Sequence, residues 1–590
     1  MARAARHRPQ APPRKPERRL GPLRGRWGLA LLGILLLTFA AYIPSLGNGY
    51  VNWDDNYYVT LNPLVSHPTL GGILTTQVAA NWHPLTIASL ALNYRISGFD
   101  PASYHWLNLL LHLANTALVF FFVRALSRGR FWTTVVTALF FGIHPLHVES
   151  VAWIAERKDV LYAFFYLIAL IAYLRYVDER RLSWLVAAFA AALLSVASKP
   201  AAVVLPLTML AVDYLRRRPL RPGLLLEKVP FLALAAAGGF VTLSVQRSQG
   251  ALQSPLSWSL LERAMFAAYG TVQYVGKMLV PVGLSAIYPY PPGGAGHALP
   301  PSYPLSLAAL AVALPALVIV FRRNRPVLFG VAFFFINIAL VLQFATVGTA
   351  VMAERYTYLP YVGLFFALSW WLDERPSGSR KRAWIAALAG YFILLAPFSL
   401  AETWKRCDVW HDPETFWTDA IQKHPGRIVA AYTNRGNYYR RTGRLEEARR
   451  DYAQALALNP RIAANWYNQA VVLARLGSED SALVSLGRAI ELEPGSVRAW
   501  NDRGAIRYRR GDLAGAVADF SRAIELDPTS WNAYANRALA YAAMGDHEKA
   551  LDDRRRAIQV DPANRANAGV LELMAGDSLA AERHLRARPR

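Results

Sequence analysis

The sequence holds one cysteine, Cys407, in 590 residues, so neither an intrachain disulfide framework nor a paired-cysteine zinc or redox site can form. Charge is also scarce: 18% of residues are charged against 54% hydrophobic, with a mean hydropathy of +0.19. That balance excludes a disordered chain and a wholly soluble one. There is no GxxxxGK[ST] phosphate loop, no GxGxxG turn after a strand and no GxSxG elbow, which argues against an ATP-driven pump and a soluble nucleotide-sugar enzyme.

What charge there is lies unevenly. Residues 1–28 carry nine Lys/Arg and one acid, residues 29–402 carry 26 and 15, and residues 403–590 carry 29 and 24. Charged residues are therefore 41 of 374 in the middle part but 53 of 188 in the last. This composition predicts a membrane domain followed by a soluble one. The expected divisions are a basic cytoplasmic tail (1–27), a polytopic domain (28–402), a connector (403–428), a repeat region (429–562) and a C-terminal cap (563–590). Nearly all the cations are Arg, as in an Arg-biased bacterial genome.

Crossing a hydrocarbon core of about 30 Å takes roughly 20 helical residues. Eleven apolar runs are candidate spans: 28–46, 104–123, 132–148, 160–177, 182–198, 200–215, 230–246, 305–321, 327–345, 356–372 and 383–401. The first is too long for a signal-peptide core and reads as a signal anchor. With the basic tail inside, the Arg-rich loops 124–130, 175–181, 216–228, 322–325 and 375–382 all fall inside as well, as the positive-inside rule requires. Residues 258–280 have spanning length but carry Glu262, Arg263 and Lys277; counting them as a span would break this alternation, so they are expected at the outer surface. The Pro-rich, aromatic-poor tail reads as an orientation signal rather than a nucleic-acid arm.

The last third repeats every 34 residues. Pro460, Pro494, Pro528 and Pro562 keep this period, as do Ala448, Ala482, Ala516 and Ala550, and Gly443, Gly477, Gly511 and Gly545. Tyr432, Trp466, Trp500 and Tyr534 complete the pattern. It resembles the tetratricopeptide (TPR) repeat, in which small residues let two antiparallel helices approach and Pro ends the second. The expected fold class is thus all-α: a polytopic helical membrane domain, then an α-solenoid of helix pairs. Residues 413–425 resemble a lone second helix and 571–585 a degenerate cap. Arg435, Arg503, Arg507 and Arg537 read either as groove-lining cations or as a solvated helix face, and Trp466 and Trp500 as packing between helices.

The outer side gathers the chemistry. The first external loop starts Val51-Asn52-Trp53-Asp54-Asp55-Asn56-Tyr57-Tyr58 and contains Asn81-Trp82-His83-Pro84. Aromatic faces suit sugar rings and a carboxylate can take a proton from an attacking hydroxyl, while Asp-Asp-Asn can equally cap a helix or form a turn. The next external stretch reads His144-Pro145-Leu146-His147-Val148-Glu149-Ser150, then Glu156-Arg157-Lys158-Asp159. Charges at the start of a span are costly unless paired or functional. Lys199 and Glu354-Arg355 lie on the same side, so cations from separate helices can converge on an anion such as a lipid phosphate; the alternative is that the run 156–159 neutralises itself. His144 and His147 have a spacing that sometimes binds metal, but Pro145 disturbs it, and no metal site is assigned. A divalent ion held by Asp54 or Asp55 stays open.

Val51-Asn52-Trp53-Asp54-Asp55, Asn81-Trp82-His83-Pro84-Leu85-Thr86, the polar positions Tyr104, His105, Asn108, His112, Asn115 and Thr116, the stretch 144–159 and Glu354-Arg355-Tyr356-Thr357-Tyr358 together resemble the transmembrane and TPR-containing (TMTC) family and its bacterial relatives. The resemblance implies a GT-C type glycosyltransferase that takes a sugar, in animal members mannose, from a polyprenyl-phosphate donor on the non-cytoplasmic face. It implies Asp54 or Asp55 as the base toward an acceptor hydroxyl, such as a protein Ser or Thr. Arg157, Lys158 and Arg355 become the phosphate ligands, while Trp53, His83, His147, Glu149 and Glu354 shape the pocket. The repeats would bind the acceptor or a partner at the periplasmic side of a bacterial inner membrane. A non-catalytic membrane-anchored TPR scaffold for envelope assembly is the alternative.

The charge alternation makes a direct prediction: reporter fusions at Arg221 and Pro460 should report opposite sides of the membrane, Arg221 inside. Fusions that report one side would contradict it.

Overall fold

The computed structural model describes residues 25–248, 258–292, 294, 296–344, 348, 350–374 and 379–561. The basic tail up to residue 24, residues 375–378 of loop 375–382 and the expected cap 563–590 lie outside the described residues. The chain folds as two units, Met1–His411 and Asp412–Arg590. Helix Ser379–Val409 runs unbroken through residue 402, and the division follows it.

In the first unit all eleven apolar runs are helical over most of their length, but the helices differ in length. Among the described residues six helices are long and apolar enough to cross a membrane: Arg26–Gly47, Pro101–Leu126, Ile154–Glu179, Val229–Ser248, Ser302–Phe321 and Arg382–Val409. Phe131–Ile143 and Pro145–Ala152 would add a seventh as one span bent by 52°. Leu182–Ser198, Pro200–Leu215 and Arg325–Val341 are shorter. At about 1.5 Å per residue a helix of 17 residues reaches only about 25 Å. Proline explains one case: Pro145, inside the expected run 132–148, lacks the N–H an interior turn needs, and the chain breaks there into a 3-10 turn; the 3-10 turn at Pro200 falls where two expected runs already meet. Apolar composition runs straight through the break at Pro145.

Helix Leu260–Leu279 is not among the candidate spans. It starts with a capping box, Ser259 accepting from the Glu262 N–H and Glu262 from the Ser259 N–H, and buries Phe266, Tyr274 and Met278 in an aromatic cluster with Phe140, Phe334 and Tyr361. Helices Arg325–Ile338 and Tyr361–Asp373 touch backbone to backbone: a Cβ on Gly330 would lie 2.3 Å from the Gly363 carbonyl oxygen, so glycine is required at both positions. One short antiparallel pairing, Tyr288–Pro289 with Ala350–Met352, adds strand to the helical plan and carries the chain into Glu354.

The second unit is the repeat array. A lone helix, Pro413–Lys423, precedes four helix pairs: Val429–Arg441 with Leu445–Leu458, Ala463–Arg475 with Glu479–Leu492, Val497–Arg509 with Leu513–Leu526, and Trp531–Ala543 with His547–Val560. Gly443, Gly477, Gly511 and Gly545 all have φ near +80°, the left-handed turn that only glycine takes without strain. The Trp466 indole donates to the Pro460 carbonyl at 2.8 Å and Trp500 to Pro494 at 2.9 Å, joining each repeat to the one before.

Arg435, Arg503 and Arg537 are neither groove residues nor a solvated face. Each forms a two-pronged pair with an aspartate sixteen residues on: Arg435 with Asp451 (2.8 and 2.8 Å), Arg503 with Asp519 (2.9 and 2.7 Å) and Arg537 with Asp553 (2.6 and 2.6 Å). They brace the first helix of a pair to the second; Gln469 and Ser485 occupy these positions in the second repeat. Arg507 also donates to Asp519 at 2.9 Å. Asp519, 1% exposed, thus neutralises two guanidinium groups. Asp519→Asn should destabilise the repeats by about 3 kcal/mol, the cost of leaving a buried pair unpartnered. Arg488→Gln, which removes a surface pair with Glu491, should cost about 0.5 kcal/mol or less. Denaturant unfolding of the full chain, followed by protease susceptibility of the repeats, checks both.

Candidate active site at the helix breaks

Around residue 150 the chain leaves helical geometry repeatedly. Helix Phe131–Ile143 stops at His144-Pro145, a 3-10 turn Pro145–His147 leads into the short helix Val148–Ala152, and a second break at Trp153 precedes the turn Ile154–Glu156 and helix Arg157–Glu179. Every break frees backbone N–H and C=O groups where water is scarce, and side chains must satisfy them.

Helix Pro101–Leu126 does much of this. Asn108 donates to the carbonyls of Val151 (3.1 Å) and Trp153 (3.2 Å), and Asn115 to that of Val160 (2.8 Å). His112 reaches the Gly142 carbonyl (3.0 Å) and the Tyr358 hydroxyl (2.8 Å). Residues 108, 112 and 115 share one helix face, which accounts for the polar stripe in an otherwise apolar run. His144 and His147 are used in the same way, against the carbonyls of Met278 (3.3 Å) and Phe141 (2.8 Å). Among the described residues no group of three or more His, Cys, Asp or Glu is arranged to hold a metal.

The paired aspartates of the first loop part company. Asp55 is fully buried; one oxygen accepts from the Val51 N–H (2.8 Å) and the other from the Ala155 N–H (2.9 Å). It closes its own turn and ties the loop to the break before helix Arg157–Glu179. Among the described residues no cation bonds it, and burial pushes its pKa up to about 7 against those two hydrogen bonds. Asp54 is partly exposed, and among the described residues its carboxylate makes no hydrogen bond. Burial raises its pKa; Lys158 opposes that, Glu156 adds to it and Arg355 opposes it. Asp54 therefore lies within electrostatic reach of both cations. Beside it Trp53 stacks on Trp153 (centroids 4.7 Å apart, 15° between planes), which stacks in turn on Trp410 (5.3 Å).

The cations expected to meet a phosphate separate as well. Lys158 lies 3.0 Å from Glu156 Oε1, over the Tyr58 ring. Arg355 pairs with Glu149 and, at 3.4 Å, with Glu156 Oε1. Arg157 turns to neutral acceptors instead: Asn108, Asn93 Oδ1 (3.1 Å) and the Tyr104 carbonyl (2.9 Å). Glu354 accepts from Tyr288 (2.9 Å) and pairs with Arg406 (3.2 Å), one layer behind Arg355. His83 is 3% exposed with neither ring nitrogen hydrogen-bonded; burial first, then Lys158 and Lys199, hold its pKa well below the usual value, so the ring is neutral.

Lys199, which precedes the proline break at 200, joins the group by pairing with Asp159 and with Glu156 Oε2 at 3.7 Å. The roles of Lys199, Asn93, Asn108 and Arg406 depend on which way side chains point across helix breaks. One sign of them in the sequence is the placing of polar residues at helix-face intervals within apolar runs.

Residues 82–245 match the family described as dolichyl-phosphate-mannose-protein mannosyltransferase. That stretch contains His83, Glu149, Glu156, Lys158 and Lys199, but neither Asp54 nor Arg355. Tetratricopeptide repeat models match residues 429–462, 504–545 and 531–564. The chain is 31% identical to the protein O-mannosyl-transferase Tmtc1 of Drosophila melanogaster over 29% of its length and 21% of that protein's. It is 40% identical to mouse TMTC2 over 17% and 12%, and 23% identical to a Caenorhabditis elegans protein O-mannosyl-transferase over 73% and 63%. The chain thus spans about a fifth or less of the length of the first relatives it matches. Among solved structures, YrrB, a TPR protein, is 28% identical over 27% of this chain and 80% of its own, with a TM-score of 0.25. Residues 82–245 are thus similar to the dolichyl-phosphate-mannose-protein mannosyltransferase family and are followed by tetratricopeptide repeats, the same pair of features for which the chain resembles the TMTC proteins over part of their length.

Proposed function

We propose that this chain is a multi-pass membrane glycosyltransferase that moves a sugar, with mannose the first to test, from a polyprenyl-phosphate donor to an acceptor hydroxyl on the non-cytoplasmic face. The observation that carries the reading is that Asp54, a first-loop carboxylate with no hydrogen bond among the described residues, lies within electrostatic reach of Lys158 and Arg355 from two other segments without contacting either. The acceptor oxygen attacks the anomeric carbon, the bond from that carbon to the phosphate oxygen breaks, and the hydroxyl proton passes to Asp54. The lipid phosphate leaves as an anion, and nearby cations stabilise the charge that develops on it. Asp55 is assigned a positioning role: its two backbone hydrogen bonds hold Asp54 in place. Trp53, His83, His147, Glu149 and Glu354 act as pocket and support residues. Arg157, bonded to three neutral groups, is assigned to the scaffold rather than to the phosphate.

The repeats are assigned to binding a protein acceptor or partner. A cavity of about 380 Å³ between the second and third repeats, lined by Ala470, Ala474, Arg475, Asp502, Ile506 and Arg509, supports that role. We assign the protein to a bacterial inner membrane with the repeats on the periplasmic side, from the loop-charge pattern and the Arg-biased composition. A membrane-anchored scaffold is the second reading; it requires no loss of function when Asp54 alone is neutralised.

Two outcomes test the assignment. At equal membrane abundance, Asp54→Asn should lower transfer from a polyprenyl-phosphate sugar by roughly a hundred- to ten-thousand-fold, the usual worth of a general base, with an unchanged melting temperature. Asp55→Asn should instead lower the melting temperature, because an amide NH₂ then faces one of the two N–H donors and leaves it unbonded at a cost of about 1–3 kcal/mol. Wild-type transfer in Asp54→Asn would favour the scaffold.

The pH profile gives the second. Asp54 must be ionised to take the proton, so activity is lost as pH falls through its pKa, which burial places above 3.8. Lys158 opposes that rise; Lys158→Met should therefore move the acid limb to higher pH as well as lowering the rate. An acid limb that stays in place would separate Lys158 from the base.

A further inference from the structure

Three cations from three segments share one carboxylate in this structure. Glu156 Oε1 is 3.0 Å from Lys158 Nζ and 3.4 Å from Arg355 Nε, and Oε2 is 3.7 Å from Lys199 Nζ. Glu156 is 1% exposed, and Oε2 makes no hydrogen bond. Lys199 and Arg355 each have a second carboxylate, Asp159 and Glu149, which hold them whether or not Glu156 is engaged. Lys158 is steadied by the Ala155 carbonyl at 3.1 Å and by the Tyr58 ring. His83, without a hydrogen-bond partner on either nitrogen, feels both lysines.

The cations are thus fixed independently of the anion they surround, and that anion is only partly bonded. A planar carboxylate offers two oxygens to three donors, whereas a tetrahedral phosphate offers more oxygens in more directions. We propose that Glu156 is an internal competitor for the lipid phosphate: its carboxylate holds Lys158, Lys199 and Arg355, yields them when a phosphate enters between them, and returns as the phosphate leaves. The inference rests on the donor-site reading and adds Lys199 as a third phosphate ligand and Glu156 as the group that limits product affinity.

The test is direct binding of farnesyl phosphate and of farnesol to the purified full chain in nanodiscs. Wild-type protein should prefer farnesyl phosphate. Glu156→Gln should bind farnesyl phosphate about tenfold more tightly, as loss of roughly 1.4 kcal/mol of competition requires, with farnesol unchanged; Glu156→Asp should move the same way by less, and Lys199→Gln the opposite way. Equal or weaker farnesyl phosphate binding in a Glu156→Gln protein of wild-type melting temperature would overturn the proposal and leave Glu156 a structural ion pair. If Glu156→Gln melts early because three cations lose an anion, farnesyl phosphate but not farnesol should restore its melting temperature; failure to do so would also overturn it. A wild-type protein that does not distinguish the two probes would reject the donor-site reading itself, and this inference with it. Competition by inorganic phosphate at equal concentration would make the ligand a free phosphate and overturn the lipid assignment.

Discussion

Backbone that leaves helical geometry inside a membrane domain must have its N–H and C=O groups bonded by the protein, because no water is there to do it. Most of what is distinctive in the first unit follows. The chain breaks at His144-Pro145, at Trp153 and at Lys199-Pro200, and buried polar side chains collect at the first two breaks to meet the freed groups. Asn108, His112 and Asp55 are all used in this way. The Asp55 bond to Ala155 spans a hundred residues; it brings the first loop against the helix break and, with it, Trp53 onto Trp153 and Asp54 within reach of Lys158.

The same scarcity of water governs the charges. An unpaired charge in such a setting costs several kcal/mol, and Glu149, Glu156, Asp159 and Glu354 are matched by Lys158, Lys199, Arg355 and Arg406. Pairing of this kind keeps many charges at one site without repulsion. It also means that an incoming anion meets cations already held by carboxylates, so its affinity is set by exchange rather than by free positive charge. Asp54 stands apart because it has no cation of its own in contact, which is what a group that must take and release a proton requires.

Much of this was legible in the sequence, and the exceptions have physical reasons. The repeat unit was plain because the 34-residue period fixes spacing, turn and packing residue together; Gly443 and Trp466 do what the period implies. The Arg braces were not, since the Arg435–Asp451 relation shows only when two helices of a pair are seen side by side. Apolar runs marked where helices lie, but hydropathy did not show the break at Pro145, and among the described residues six helices have spanning length and composition. In the site, the residue types were readable. Which of Asp54 and Asp55 is hydrogen-bonded, and that Arg157 turns to Asn93 and Asn108 while Lys199 turns to Glu156, depend on side-chain directions that no spacing encodes.

The central claim is that the first-loop carboxylate and the outer-end cations form one donor site. A cryo-EM map of the full chain in nanodiscs with farnesyl phosphate measures this most directly. The account expects the phosphate in hydrogen-bond contact with Lys158, Lys199 and Arg355, with the Asp54 carboxylate facing the same space. A phosphate bound elsewhere, or seated there while Asp54 points away into lipid or solvent, would contradict it.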